Sequence, residues 1–329
     1  MRGTSIVVAA VLFLSTATSA GSATASSTSQ RSAAKPAAVP GQLLFTRTAS
    51  GDVQTIYAAS GRAERRLSVP GLYCCLVRVS PDHRRILVMP GGDIPLPLTG
   101  GTIDLRGAHF ARLRLVDATL NLVPQAWSPD GSRIAFEGWD FDDPSRGGVY
   151  TARACDGGDL VRVSTRTGGY HDMPLDYSPD GRKLVFYRQV ALDSGPTDIG
   201  GALWVVNVDG SDAHQITTAR VRPNWWARWS PDGSRILFAA ERLRATGGIW
   251  TVRPDGSRLT QLYAGSADRF PIDPVWSPDG KNIMFGLDPS NDRFTHPANA
   301  LYLMRADGTH LTFVNASPDF KSQLEWWRG

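Results

Sequence analysis

Trp127-Ser128-Pro129-Asp130-Gly131, followed within two residues by the apolar run Arg133-Ile134-Ala135-Phe136, is a phrase this chain repeats. It returns as Ser80-Pro81-Asp82-His83, as Tyr177-Ser178-Pro179-Asp180-Gly181, as Trp229-Ser230-Pro231-Asp232-Gly233 and as Trp276-Ser277-Pro278-Asp279-Gly280, at steps of 48, 50, 52 and 47 residues. Proline presets φ for a turn, aspartate bonds back to nearby backbone N–H groups, and glycine closes the turn in the left-handed region without a Cβ clash. Each phrase therefore predicts a first strand, a tight turn and a second strand. A period near 50 residues with strands between turns is the signature of a propeller or a similar array.

A second signal follows each turn. Leu203 to Gly210, Ile249 to Gly256 and Leu301 to Gly308 are apolar runs ending in Asp-Gly, which reads as a third strand, its turn and a fourth strand beyond. Four strands per unit make a blade. Gln42 to Arg47 reads as a second strand lacking its first, Thr55 to Gly61 as the matching third strand and turn, and Leu324-Glu325-Trp326-Trp327 as a first strand lacking its second. Five internal blades and one shared by the two chain ends predict an all-β, six-bladed propeller of four-stranded blades. Closing it with the N- and C-terminal strands leaves no open sheet edge.

The Trp/Tyr-Ser-Pro-Asp-Gly turn, the Ile-x-Phe strand and the Ile/Leu-Tyr/Trp-x-x-x-x-Asp-Gly turn resemble the WD-like repeat of TolB-family six-bladed propellers across residues 41 to 329. The resemblance implies the fold. For function it implies only a class of scaffolds that serve as protein-binding platforms, as caps on serine peptidases and as frames of some polysaccharide lyases. Strands that begin at Gln42 leave no room for the N-terminal α/β domain of TolB itself.

Upstream, Arg2 and the apolar stretch Ile6 to Leu14 precede small residues with cleavage patterns after Ala20 and, better matched to Ala-x-Ala, after Ala25. Residues 1–25 are read as a signal peptide, 26–40 as a flexible Ser/Thr/Ala/Pro linker and 41–329 as the propeller. The apolar segment is short for a transmembrane span, so no stable span is expected after cleavage and the protein is placed outside the cytoplasm, secreted or in the cell envelope. A net charge of +4 with no clustered Lys/Arg run argues against nucleic-acid binding. Three cysteines form an odd set: Cys155 is predicted free and buried, and Cys74-Cys75 either free or joined as a vicinal disulfide.

The turns occupy one end of the ring, so the binding surface is expected at the other, where long irregular loops join second to third strands. Four of these loops end in Gly-Gly, at Gly100, Gly147, Gly200 and Gly247 and their successors, and the pairs are expected to let each loop bend into its third strand. Candidate binding residues are Trp139 and Asp140, then His171, Asp172, Trp225, Arg242 and Arg269 from the loops and from the segments leading into first strands. Aromatic rings beside hydrogen-bonding groups suit a protein segment or a glycan. The turn aspartates Asp130, Asp180, Asp232 and Asp279 are read as structural.

No Gly-x-Ser-x-Gly elbow occurs, and His171 and His296 alone are too few for a metal site. His109 joins them only if Leu113 to Asp117 is the third strand of its blade; if Arg106-Gly107 is the turn, the favoured register, His109 lies at the turn end. The expectation is a monomeric, non-enzymatic binding module without catalytic residues, metal or cofactor, the alternative being a carbohydrate-active lyase or hydrolase with its site among the loops.

Overall fold

The computed structural model describes residues 41–48, 54–60, 63–67, 78–89, 99–105, 110–114, 116–117, 119–165, 171–191, 199–218, 221–242, 247–266, 270–288, 300–316 and 320–327. These form 24 strands in six four-stranded antiparallel sheets. Blade 1 holds β4 (Arg78–Val79), β5 (Arg85–Val88), β6 (Gly101–Asp104) and β7 (Phe110–Arg112). Blade 2 holds β8 (Asn121–Trp127), β9 (Arg133–Trp139), β10 (Gly148–Arg153) and β11 (Val161–Arg162); blade 3 holds β12 (Asp172–Tyr177), β13 (Lys183–Ala191), β14 (Ile199–Asn207) and β15 (His214–Gln215). Blade 4 runs β16 (Val221–Trp229), β17 (Ile236–Arg242), β18 (Gly248–Val252), β19 (Thr260–Ala264), and blade 5 runs β20 (Phe270–Trp276), β21 (Asn282–Asp288), β22 (Ala300–Arg305), β23 (Thr312–Ala316).

The sixth blade is the shared one. β24 (Phe320–Trp327) pairs with β1 (Gln42–Thr48), which continues to β2 (Gln54–Ser60) and β3 (Ala63–Leu67). Blade 1 settles the register of the third strand, because β6 pairs with β7 across residues 105–109. Gly101–Asp104 is therefore the third strand, as the favoured register has it, and Leu113 to Asp117 is not; Leu113 N donates to the Gly100 carbonyl at 3.0 Å, just past the end of β7. His109 itself is outside the described residues, as are the proposed signal peptide and linker, Cys74, Cys75, Arg269 and His296.

Each repeated turn is built alike. In blade 2 the Ser128 hydroxyl donates to Asp130 Oδ1 at 2.6 Å and accepts from Arg133 N at 2.9 Å, while Asp130 Oδ1 accepts from Ser132 N at 3.0 Å. The same bonds recur at Ser80, Ser178, Ser230 and Ser277. The serine hydroxyl and then the backbone N–H hold the Asp130 carboxyl down at about 2. Gly131 closes its turn at φ 71°, and His83 takes that position at φ 55° in blade 1. Gly131, Gly181, Gly233 and Gly280 each rest against the proline of the preceding turn, so the turns form a ring of contacts around one end of the channel.

One hydrophobic cluster fills each of six junctions between neighbouring blades. The residue before a turn serine belongs to it: Trp127 between blades 1 and 2, Tyr177 between blades 2 and 3, Trp229 between blades 3 and 4, and Trp276 between blades 4 and 5. On the closing strand the matching place is Trp326, which pairs with Leu43 as Trp127 pairs with Ile134 and packs between blade 5 and the closing blade. First strands tolerate Pro124, Pro174 and Pro223 because their inner edge faces the channel and needs no ladder partner; each proline is followed by a β-bulge.

Two expectations need correction. Cys155 is free but exposed, because the turn after β10 carries its side chain into solvent and not under the blade. The Gly-Gly pairs do more than bend loops: a methyl group at Gly101 would collide with the Phe110 ring and one at Gly201 with Tyr187, so these glycines admit a neighbouring aromatic onto the third strand.

Candidate functional site

At the loop end, the connection from β9 to β10 is a rigid, internally braced loop. Asp140 Oδ1 accepts from the backbone N–H groups of Asp142 at 2.9 Å and Asp143 at 3.3 Å. Asp143 caps a short 3-10 turn, Pro144–Arg146, by accepting from Ser145 N at 3.0 Å. Arg146 then folds back: Nη1 donates to Asp140 Oδ2 at 2.6 Å and to Thr119 Oγ1 at 2.7 Å, and Nη2 pairs with Asp117. Tyr150 Oη donates to the Arg146 carbonyl at 2.5 Å and Arg162 Nη2 to the Ser145 carbonyl at 2.7 Å.

This bracing fixes an aromatic patch. Phe141, 50% exposed, meets Trp139 edge-on with ring centroids 6.3 Å apart. Trp139 meets His171 edge-on at 6.4 Å, and Asn121 Nδ2 donates to the Trp139 carbonyl at 3.2 Å. His171 Nδ1 lies 2.6 Å from Glu137 Oε1, a hydrogen-bond contact that ties the segment leading into β12 to β9 of the blade before it. Trp139 and His171, 32 positions apart and chosen from sequence for one surface, are thus together.

The two acids of the expected site point inward. The Asp140 carboxylate is spent on its own loop and on Arg146. Asp172 is buried, accepting from Arg188 Nε at 2.7 Å and Nη2 at 2.6 Å and from Ser164 Oγ at 2.7 Å. Both are bracing groups, and neither carboxylate is offered at the surface. Trp225 lies within β16 and Arg242 ends β17 at the loop end; their side chains, like Arg269, are outside the described residues. Phe141 and Glu137 were not among the candidate residues read from sequence, since neither aromatic exposure nor a cross-blade side-chain contact has a local signal.

The channel holds a second polar group of residues. At the turn end a cavity of about 230 Å³ is lined by Arg78, Asp176, Arg228 and Glu325 among tryptophans and turn prolines. Glu325 Oε1, on the closing strand, accepts from Arg78 Nη1 at 3.1 Å and from Arg228 Nη2 at 2.9 Å, so a single carboxylate bridges blades 1, 4 and 6. The Trp226 ring lies 4.8 Å from the Arg78 guanidinium and 5.8 Å from that of Arg228. Burial, then Arg228, lowers Arg78 to about 9; burial raises Asp176 to about 6 against the pull of Arg228 and of the Trp229 backbone N–H, 2.9 Å away. Among the described residues no three His, Cys, Asp or Glu side chains converge as a metal-binding group, and no helix is long and apolar enough to cross a membrane.

Six antiparallel blades around a channel, closed by strands from both chain ends, define a β-propeller with a repeated turn end and an irregular loop end. No family profile and no curated protein matches the sequence. Solved structures do match the fold. A putative TolB from Agrobacterium tumefaciens aligns with TM-score 0.61 at 20% identity over 85% of this chain and 89% of its own. TolB from Acinetobacter baumannii aligns at 0.60, 15% identity, over 86% and 66%, and an oligogalacturonate lyase from Vibrio parahaemolyticus at 0.58, 15% identity, over 84% and 75%. The chain has the TolB-like propeller fold, which these dissimilar proteins share.

Proposed function

We propose that this chain is an extracytoplasmic, non-enzymatic binding propeller whose partner, a protein segment or a glycan, docks at the loop end. The observation that carries the reading is Phe141: a half-exposed aromatic ring held in place before any partner arrives, by its edge-on contact with Trp139 and by the Arg146 clamp. Exposing such a ring on a braced loop costs burial that a solvated loop would avoid, and prior ordering lowers the entropy lost on association. Aromatic anchors surrounded by polar groups are the usual centres of binding energy. Trp225, Arg242 and Arg269 belong to the same proposed surface, reached from blades 4 and 5.

The test is capture of a partner from cell-envelope extract by the mature protein. The double variant Trp139→Ala/Phe141→Ala should lose the partner, while Arg258→Ala, an exposed turn-end position, should keep it. Stoichiometric Mn, Ca or Zn in the purified protein would bring the alternative, a carbohydrate-active enzyme at the loop end, to the front.

A further inference from the structure

The junction between blades 2 and 3 differs from its neighbours by one residue. Where Trp127, Trp229 and Trp276 stand before their turns, and Trp326 at the matching place on the closing strand, blade 3 has Tyr177. At two tryptophan junctions an arginine of the preceding blade covers the indole: Arg85 lies 5.0 Å from the Trp127 ring and Arg235 4.9 Å from Trp276. The matching residue here, Arg133, is turned away, with Nη1 on Asp159 Oδ2 at 2.5 Å and Nη2 on the Asp159 and Thr151 carbonyls at 2.7 and 3.1 Å.

A smaller ring and a diverted arginine leave a groove of about 770 Å³ between the two blades at the turn end. That is within the range of ligand-binding pockets, roughly 300 to 1,000 Å³. Its walls are apolar, from Pro129, Val161, Pro179 and Val208, and its rim carries Asp130, Asp180 and Asp209. Tyr177, 4% exposed, also lines it, and its hydroxyl has no hydrogen-bond partner among the described residues. An orphaned buried hydroxyl is costly and uncommon. The turns use Oδ1 of Asp180 and Asp209 for Ser178, Arg182 N and Ser211; among the described residues Oδ2 of each accepts nothing. The one cation on the lining, Arg133, is neutralised by Asp159.

We propose that this groove binds an alkylammonium group, its aliphatic stem along the prolines and valines, and its charge shared by the Asp180 and Asp209 carboxylates with the Tyr177 hydroxyl as acceptor. The group can arrive as a small free amine or as a lysine side chain of a protein. This site is separate from the loop-end surface, and the two stand or fall independently.

The test is a titration followed by backbone amide shifts of residues 128–133, 177–181 and 208–210, with n-butylammonium, butyrate and N-acetyl-lysine amide as probes. n-Butylammonium should give saturable shifts confined to those amides, and butyrate none. Asp180→Asn/Asp209→Asn should weaken binding about tenfold or more, since charge-assisted bonds are the strong ones, and Tyr177→Phe about threefold. Tyr177→Trp, which places there the residue found at both flanking junctions, should abolish binding while the fold persists. Stronger binding of the lysine derivative assigns the guest to a protein side chain, and stronger binding of butylammonium to a free amine. Equal shifts with butyrate, binding that survives Tyr177→Trp, or affinity unchanged by the double aspartate variant would overturn the proposal.

Discussion

The two ends of the ring are built on opposite plans. At the turn end one unit is used over and over, with its serine, aspartate and closing residue satisfying each other's hydrogen bonds and its glycine packed on the preceding proline. At the loop end, the β9–β10 connection is braced by Asp140, Asp143 and Arg146, a bracing seen in no other blade among the described residues. Repetition gives a closed, cooperative frame; irregularity gives surfaces that differ from blade to blade. Stability should therefore be concentrated where the sequence repeats, and recognition where it does not.

The largest expected effect comes from the closing strand. Removing residues 320–329 takes away β24, the partner of β1, and with it Glu325, Trp326 and Trp327. The ring should open, expose sheet edges and aggregate; a soluble truncation that still melts cooperatively would break the comparison. Trp229→Ala comes next. Trp229 is buried between blades 3 and 4, and its loss should cost about 3 to 5 kcal/mol in denaturant melts as a large-to-small core change.

The channel supplies a pH-dependent effect of intermediate size. The folded Asp176 titrates at about 6, above its usual 3.8. Between those two values the unfolded chain has lost the proton and the folded chain keeps it, so this group lowers stability increasingly as pH rises from about 4 and fully above about 6. Asp176→Asn removes that penalty: relative to the parent, the variant should gain stability from pH 4 to pH 7.5 and level off there. A difference independent of pH would mean that Asp176 is ionised throughout in the folded protein. The smallest expected effect on stability is Trp139→Ala, under about 1 kcal/mol, since the residue ends β9 at the loop end, half-buried and outside the junction clusters. A loss comparable to that of Trp229→Ala would erase the distinction between the ends.

Much of this frame was legible because a turn signal is local. Ser-Pro-Asp-Gly states its own φ angles and hydrogen bonds, and five copies at even spacing place every blade, including the register of blade 1 and the pairing of Gln42–Thr48 with the final strand. The loop-end patch was legible in part: Trp139 and His171 share a surface because blade position alone puts them there. The inward turn of Asp140 and Asp172 was not, since the arginines that claim them, Arg146 and Arg188, are ordinary loop and strand charges in sequence. The Arg78–Glu325–Arg228 bridge joins residues 247 and 97 positions apart across the channel, a juxtaposition that no sequence spacing encodes. Tyr177 was in plain view within the repeat, and what hid its meaning is that a tyrosine and a tryptophan satisfy the same apolar pattern while filling different volumes.

The most direct test of the division between the ends is one partner-capture measurement on the double variant Trp139→Ala/Phe141→Ala, with its melting curve recorded on the same sample. The account predicts capture weakened about thirtyfold or more, as expected when a central aromatic anchor worth about 2 kcal/mol or more is removed, with melting temperature within about 3 °C of the parent. Undiminished capture by a folded double variant, or capture lost only because the protein has unfolded, would contradict it.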